Sequence, residues 1–118
     1  MVRQPTDPTL KKHGLTPELW REMLDRQGGV CGACHRAPPS QKLNVDHEHV
    51  RGYYDMPPER RRQYHRGLIC YMCNKFRLAR GATVENLEGA ADYLRAYENR
   101  KVNANITAAM RRIDGAVS

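Results

Sequence analysis

The sequence predicts a small α+β domain whose fold is completed by a bound metal ion, and three observations lead there. The chain has 118 residues, enough for one modest core. With 40% hydrophobic residues, one Phe and one Trp, burial alone leaves such a domain marginally stable. Four cysteines stand as two close pairs, and the stretches around them switch between alternating and helical apolar spacing. The expected organisation is a single domain over 1–118, with a metal-clamped centre at 13–81 and a C-terminal helical segment at 82–118.

The first helix is expected in LTPELWREMLDRQGG. Thr16 can cap it, Pro17 fits the first helical position, and Leu15 and Trp20 are spaced as a hydrophobic staple. Leu19, Trp20, Met23 and Leu24 make one apolar face, and Gly28 or Gly29 ends the helix. KLNVDH alternates, so Leu43 and Val45 face a core while Asn44 and Asp46 face away; a short strand ends at Asp46 and His47. RGLIC is a second short strand running back into the second cysteine pair. APPSQ and DMPPE mark loops, and CNKFRLARG reads as a helix starting near Cys73 or Asn74 and ending at Gly81. Thr83 caps a further helix through VENLEGAADYLRAYENR, which Gly89 weakens without breaking, and a last short helix fits ITAAMRRI.

The cysteine pairs are the strongest local signal. Cys31 and Cys34 in CGAC and Cys70 and Cys73 in CYMC form two CxxC knuckles, each able to turn two thiolates toward one tetrahedral ion. Four thiolates suit structural zinc and leave no open coordination position. A redox pair fits poorly, because no strand-helix-strand pattern surrounds either pair; an iron–sulfur cluster is the minor alternative. His35, beside Cys34, reads as a surface residue next to the ligands. The N-terminus carries no apolar run like a signal peptide and no stretch is long enough to cross a bilayer, so a soluble, cytoplasmic protein with reduced cysteines is expected.

Residues 35–69 separate the knuckles, longer than the roughly 15–20 residues between knuckles of compact zinc fingers. Within this excursion lies VDHEH. One ion clamping both knuckles fixes Cys73, and hence Asn74, near the end of the first strand, where Asp46 and His47 stand. A carboxylate and a carboxamide are hard oxygen ligands of the kind that magnesium or manganese takes. His47 beside them can deprotonate a water for attack on phosphorus, because imidazole titrates near neutral pH.

The charge distribution points to the same region. Residues 41–80 carry nine basic and four acidic side chains, +5 of the net +7. Arg51, Arg60, Arg61, Arg62, Arg66, Lys75, Arg77 and Arg80 surround the histidine stretch, a pattern suited to a phosphate backbone.

CGAC, VDHEH, RGLICYMCN and the preceding GLTPELWREML resemble the recombination endonuclease VII family of tailed phages, within the His-Me finger (HNH-like, ββα-metal) nucleases. The resemblance runs from about His13 to Gly81. It implies a ββα-metal core flanked by helices, Asp46 and Asn74 as ligands of a catalytic Mg²⁺ or Mn²⁺, His47 as general base, His49 as support for the phosphate or the base, and the four cysteines as ligands of structural zinc. It further implies a DNA endonuclease acting on branched substrates such as Holliday junctions or as an HNH-type nickase, working as a homodimer in the host-cell cytoplasm. Two departures stand out: a short chain after Gly81, and the insert YYDMPPERRRQYH between DHEHV and RGLIC.

Each residue also has an ordinary explanation. Asp46 can cap a turn, His49 can be a surface side chain, and His65 and Arg66 can simply meet solvent. A zinc module that only grips nucleic acid needs none of Asp46, His47 and Asn74, so the three together favour a nuclease. The alternative is a non-catalytic, zinc-dependent nucleic-acid-binding module, which predicts zinc and salt-sensitive binding without cleavage.

Overall fold

The computed structural model describes residues 1–79 and 81–117, and it divides into two compact units, 1–79 and 80–118. The first unit holds every strand among the described residues and the hydrophobic core. Its opening helix α1, Asp7–Lys12, was not apparent in the sequence: six residues show no period, and only Leu10 is buried. Helix α2, Pro17–Arg26, follows the expected punctuation. The Thr16 hydroxyl accepts the Leu19 N–H at 3.2 Å, Pro17 opens the helix, and Gly28 and Gly29 leave it with positive φ. Trp20 and Leu24 are buried, with Leu19 and Met23 packed against the same cluster.

Two short strands form one antiparallel sheet, β1 Asn44–His47 and β2 His65–Ile69, close to the stretches predicted. Leu43, Leu68 and Ile69 are buried in the core. Asp46 lies opposite Gly67 while His47 lies opposite His65, so Arg66 is an extra residue bulged out of the ladder. A bulge bends its strand and re-aims the side chain it frees. Asp46, expected to face away from the core, is nevertheless buried at 6% exposure, because that side chain folds over it.

The excursion between the strands is more ordered than its prolines suggest. It contains a 3₁₀ turn, Tyr53–Asp55, and a one-turn helix α3, Pro58–Arg62. Proline at the first helical position loses no hydrogen bond, so the proline pair that reads as a loop starts a helix here. Gly14, at φ +67°, lets α3 come close: a Cβ there would lie 2.8 Å from the Pro58 backbone. Arg61 donates to the Lys11 and Lys12 carbonyls at 3.1 and 2.7 Å, and Arg62 to the Gly14 carbonyl at 2.7 Å. These two arginines close the C-terminal end of α1.

After the second knuckle the expected helix to Gly81 is replaced by a π-helical turn, Cys73–Arg77, closed by the Leu78 N–H on the Cys73 carbonyl at 2.7 Å. Cys73 is fully buried and Leu78 packs on the same core. At about 3.6 residues per turn, side chains five apart point to different faces. Widening the turn by one residue brings both inward.

The second unit is one helix, α4, Val84–Val117. Thr83 caps it as expected, accepting the Asn86 N–H at 3.0 Å. The two helices foreseen here are continuous, because no Gly or Pro occurs between Gly89 and Gly115 to separate them. Among the described residues no helix is long and apolar enough to cross a membrane.

Candidate active site and thiol cluster

The two knuckles meet. The Sγ atoms of Cys31, Cys34, Cys70 and Cys73 all lie within 4.8 Å of one another, with Cys34 and Cys70 3.9 Å apart. A tetrahedral ion at a Zn–S distance of about 2.3 Å requires sulfurs about 3.8 Å apart, so the cluster fits zinc. Backbone N–H groups of Cys70, Ala33 and Cys34 point at the Cys31 sulfur at 3.3–3.5 Å, and Arg77 donates to the Cys73 sulfur at 3.2 Å. Burial works to raise the Cys31 thiol, but these N–H groups outweigh it and bring it down to about 6. Burial and the three neighbouring sulfurs push Cys73 up to about 12, against the pull of Arg77. Four crowded thiols do not ionise together unless a cation accompanies them, which is the behaviour of a metal site. His35 is exposed, at φ 61° in the turn of the first knuckle.

The second knuckle also sets Asn74, whose N–H bonds to the Cys70 carbonyl at 2.9 Å. Asn74, Asp46, His47 and His49 line one cleft of about 700 Å³. Asp46 comes from the strand edge next to the bulge, and His47 from the last β1 position. The Asp46 carboxylate is not free: Arg66 grips it with Nε on Oδ2 at 2.8 Å and a terminal nitrogen on Oδ1 at 3.0 Å. Each oxygen keeps a second lone pair, so Asp46 and Asn74 still offer the hard oxygens a small divalent cation takes.

His47 is held at both ring and edge. Its Nδ1 lies 3.0 Å from the Glu48 carbonyl. A carbonyl only accepts, so Nδ1 carries the proton and Nε2 keeps the lone pair. Its ring stacks on Tyr53 with centroids 3.9 Å apart and planes 1° from parallel. Four of the five histidines, 13, 47, 49 and 65, gather around this tyrosine and each other. His13 also lines the cleft and Tyr53 lies against His47, though neither shows a period or motif in the sequence, and Lys42 and Arg3 add positive charge to the cleft.

The basic residues expected on nucleic acid divide into two groups. Arg61 and Arg62 bind backbone carbonyls, Arg66 binds Asp46, and Arg77 binds a cysteine sulfur. Lys75 donates to the Tyr71 hydroxyl at 2.9 Å on an exposed surface. Arg51 and Arg60 are exposed, while Arg80 lies outside the described residues.

Fold and site together define a small, thiol-clamped α+β protein that sets an acid, an amide and an imidazole on one cleft. The chain belongs to the recombination endonuclease VII family, whose model matches residues 7–96. It is 40% identical over 89 residues to the Gene 59 protein of Mycobacterium phage D29, covering 73% of this chain and 47% of that one. It is 36% identical over 88 residues to the Gene 59 protein of Mycobacterium phage L5, covering 72% and 46%. The chain thus spans about half the length of these curated relatives. No solved structure matches it.

Proposed function

We propose that the protein is a divalent-metal-dependent DNA endonuclease with a structural zinc and an Asp46–His47–Asn74 centre in a ββα-metal arrangement. The observation that carries this reading is that those three residues, with His49, line a single cleft. His47 Nε2 takes a proton from water; the water oxygen bonds to phosphorus as the bond to the 3′ oxygen breaks, and that oxygen leaves as a hydroxyl after gaining a proton from solvent. A Mg²⁺ or Mn²⁺ ion held by Asp46 and Asn74 would stabilise the charge that grows on the phosphate and the departing oxygen. His49 supports the phosphate or the base, and Arg51, Arg60 and Lys75, still on the surface, meet the backbone. Family membership supports DNA as the partner. Branched DNA such as a Holliday junction, cut by a homodimer, is the preferred substrate, ahead of nicking of plain duplex.

The Asp46–Arg66 pair favours a second reading. A carboxylate already neutralised by a guanidinium suits a zinc module that binds nucleic acid without cutting it. Supercoiled plasmid, linear duplex and a synthetic four-way junction, each incubated with Mg²⁺, Mn²⁺ or chelator, separate the two. The nuclease reading predicts divalent-dependent cleavage, strongest on the junction, that His47→Ala and Asn74→Ala abolish while binding persists. Binding without cleavage of any substrate establishes the second reading instead.

A further inference from the structure

We propose that Tyr53 is a positioning residue for the His47 base, fixing the plane of its ring through a stack that is itself anchored at the phenol by His13 and His65; this rests on the assignment of His47 above. Tyr53 is 3% exposed, yet it stands outside the apolar core cluster. Its close partners are aromatic rings: His47 stacked at 3.9 Å, and Tyr54 edge-on at 4.9 Å and 82°. Its burial therefore serves the histidine cluster more than the core.

The phenol is tied down from two separate elements. The Tyr53 hydroxyl lies 3.1 Å from His13 Nδ1, in the turn after α1, and 3.0 Å from His65 Nε2, at the start of β2. A hydroxyl both donates and accepts, so the one phenol can hold both rings at once. Burial, more than any charge, holds His13 near 4 and lowers His65, so both are neutral at pH 7 and the network carries no ion.

The geometry then divides the work on His47. The Glu48 carbonyl fixes the direction of Nδ1 within the ring plane, and the Tyr53 face fixes the plane. Together they aim Nε2 at one place. An imidazole held at only one of these points swings about it, and a displacement of about 1 Å at a reacting atom costs roughly 100-fold in rate.

The test uses the zinc-loaded full chain and four variants: Tyr53→Leu, Tyr53→Phe, His65→Gln and His47→Ala. Single-turnover plasmid cleavage in Mg²⁺, DNA affinity in Ca²⁺ and the His47 ring resonances by NMR are measured for each. Tyr53→Leu is expected to cleave roughly 100-fold more slowly with unchanged DNA affinity, and its His47 Cε1–H resonance to lose the ring-current shift from the stacked phenol. Tyr53→Phe, which keeps the face and loses the anchor, is expected to retain the ring-current shift and to lose only a few-fold in rate, as is His65→Gln. If Tyr53→Leu does not fold, the Phe variant and the wild-type ring-current shift carry the test. Wild-type cleavage by Tyr53→Leu, or a wild-type His47 resonance with no ring-current shift, overturns the proposal. Wild-type cleavage by His47→Ala overturns the base assignment instead, and the two failures are distinct.

Discussion

Arg66 holds both carboxylate oxygens of Asp46, at 2.8 and 3.0 Å, from the one residue that the sheet register leaves unpaired. The bulge and the ion pair sit together: the residue bulged out of the ladder is the one whose side chain grips the strand edge. The Asp46 side chain is buried while the Arg66 side chain is 45% exposed, so solvent screens the pair from one side.

Arg66→Ala is therefore expected to destabilise the protein by only about 1–2 kcal/mol, read by chemical denaturation. The same substitution is expected to tighten Mn²⁺ binding several-fold in calorimetry, because the cation no longer competes with a guanidinium for Asp46. Unchanged stability and unchanged Mn²⁺ affinity would show that the pair is incidental.

Removing the ion from the thiol cluster is expected to unfold the unit of residues 1–79. Structural zinc in small domains contributes on the order of 10 kcal/mol, more than a core of this size supplies. One zinc per chain is expected by elemental analysis, falling to near zero in Cys73→Ser. A strong chelator is expected to abolish the near-ultraviolet circular dichroism of Trp20, the one tryptophan, which is fully buried beside the cluster in the core.

Gly14→Ala is expected to cost about 1–3 kcal/mol. The new Cβ would sit 2.8 Å from the Pro58 backbone at a φ of +67°, so relief requires α3 to move away and the Arg62 bond to the Gly14 carbonyl to break. A melting temperature within a degree of wild type would contradict this contact.

Acid is expected to destabilise the protein through His13. Burial, with help from His47 and His65, lowers its folded-state pKa from 6.5 to about 4. Between those values the unfolded chain binds the proton and the folded chain does not. Stability from this group is therefore complete above pH 6.5 and falls as the pH drops toward 4, by up to about 3 kcal/mol. Denaturation midpoints for wild type and His13→Gln should converge across this window, with the wild type losing more stability than the variant, in which His65 still resists protonation.

Much of this fold was legible in the sequence because its signals are local. Thr16 and Pro17 announce α2, alternation marks β1, and two CxxC pairs announce one four-sulfur cluster able to hold an ion. What escaped depends on tertiary contact. Six residues of α1 carry no period, and α3 forms because Gly14 lets it approach. The π-helical turn arises from burying Cys73 and Leu78 on one side, which no propensity encodes. Asp46, His47 and Asn74, which line the cleft, were readable from motif and spacing, whereas His13 and Tyr53 reach His47 only through folding. The basic run misled in part, because charge in a sequence does not say whether an arginine meets solvent or a helix end; Arg61 and Arg62 meet a helix end.

Mn²⁺ titration of the zinc-loaded chain, followed by paramagnetic broadening of side-chain NMR signals, tests most directly whether the thiol cluster sets positions 46 and 74 around one cation next to His47. The expected result is early, saturable broadening of His47, His49 and the Asn74 carboxamide, lost in Asp46→Asn. Broadening centred elsewhere on the chain, or unaffected by Asp46→Asn, would contradict the metal-dependent cleft.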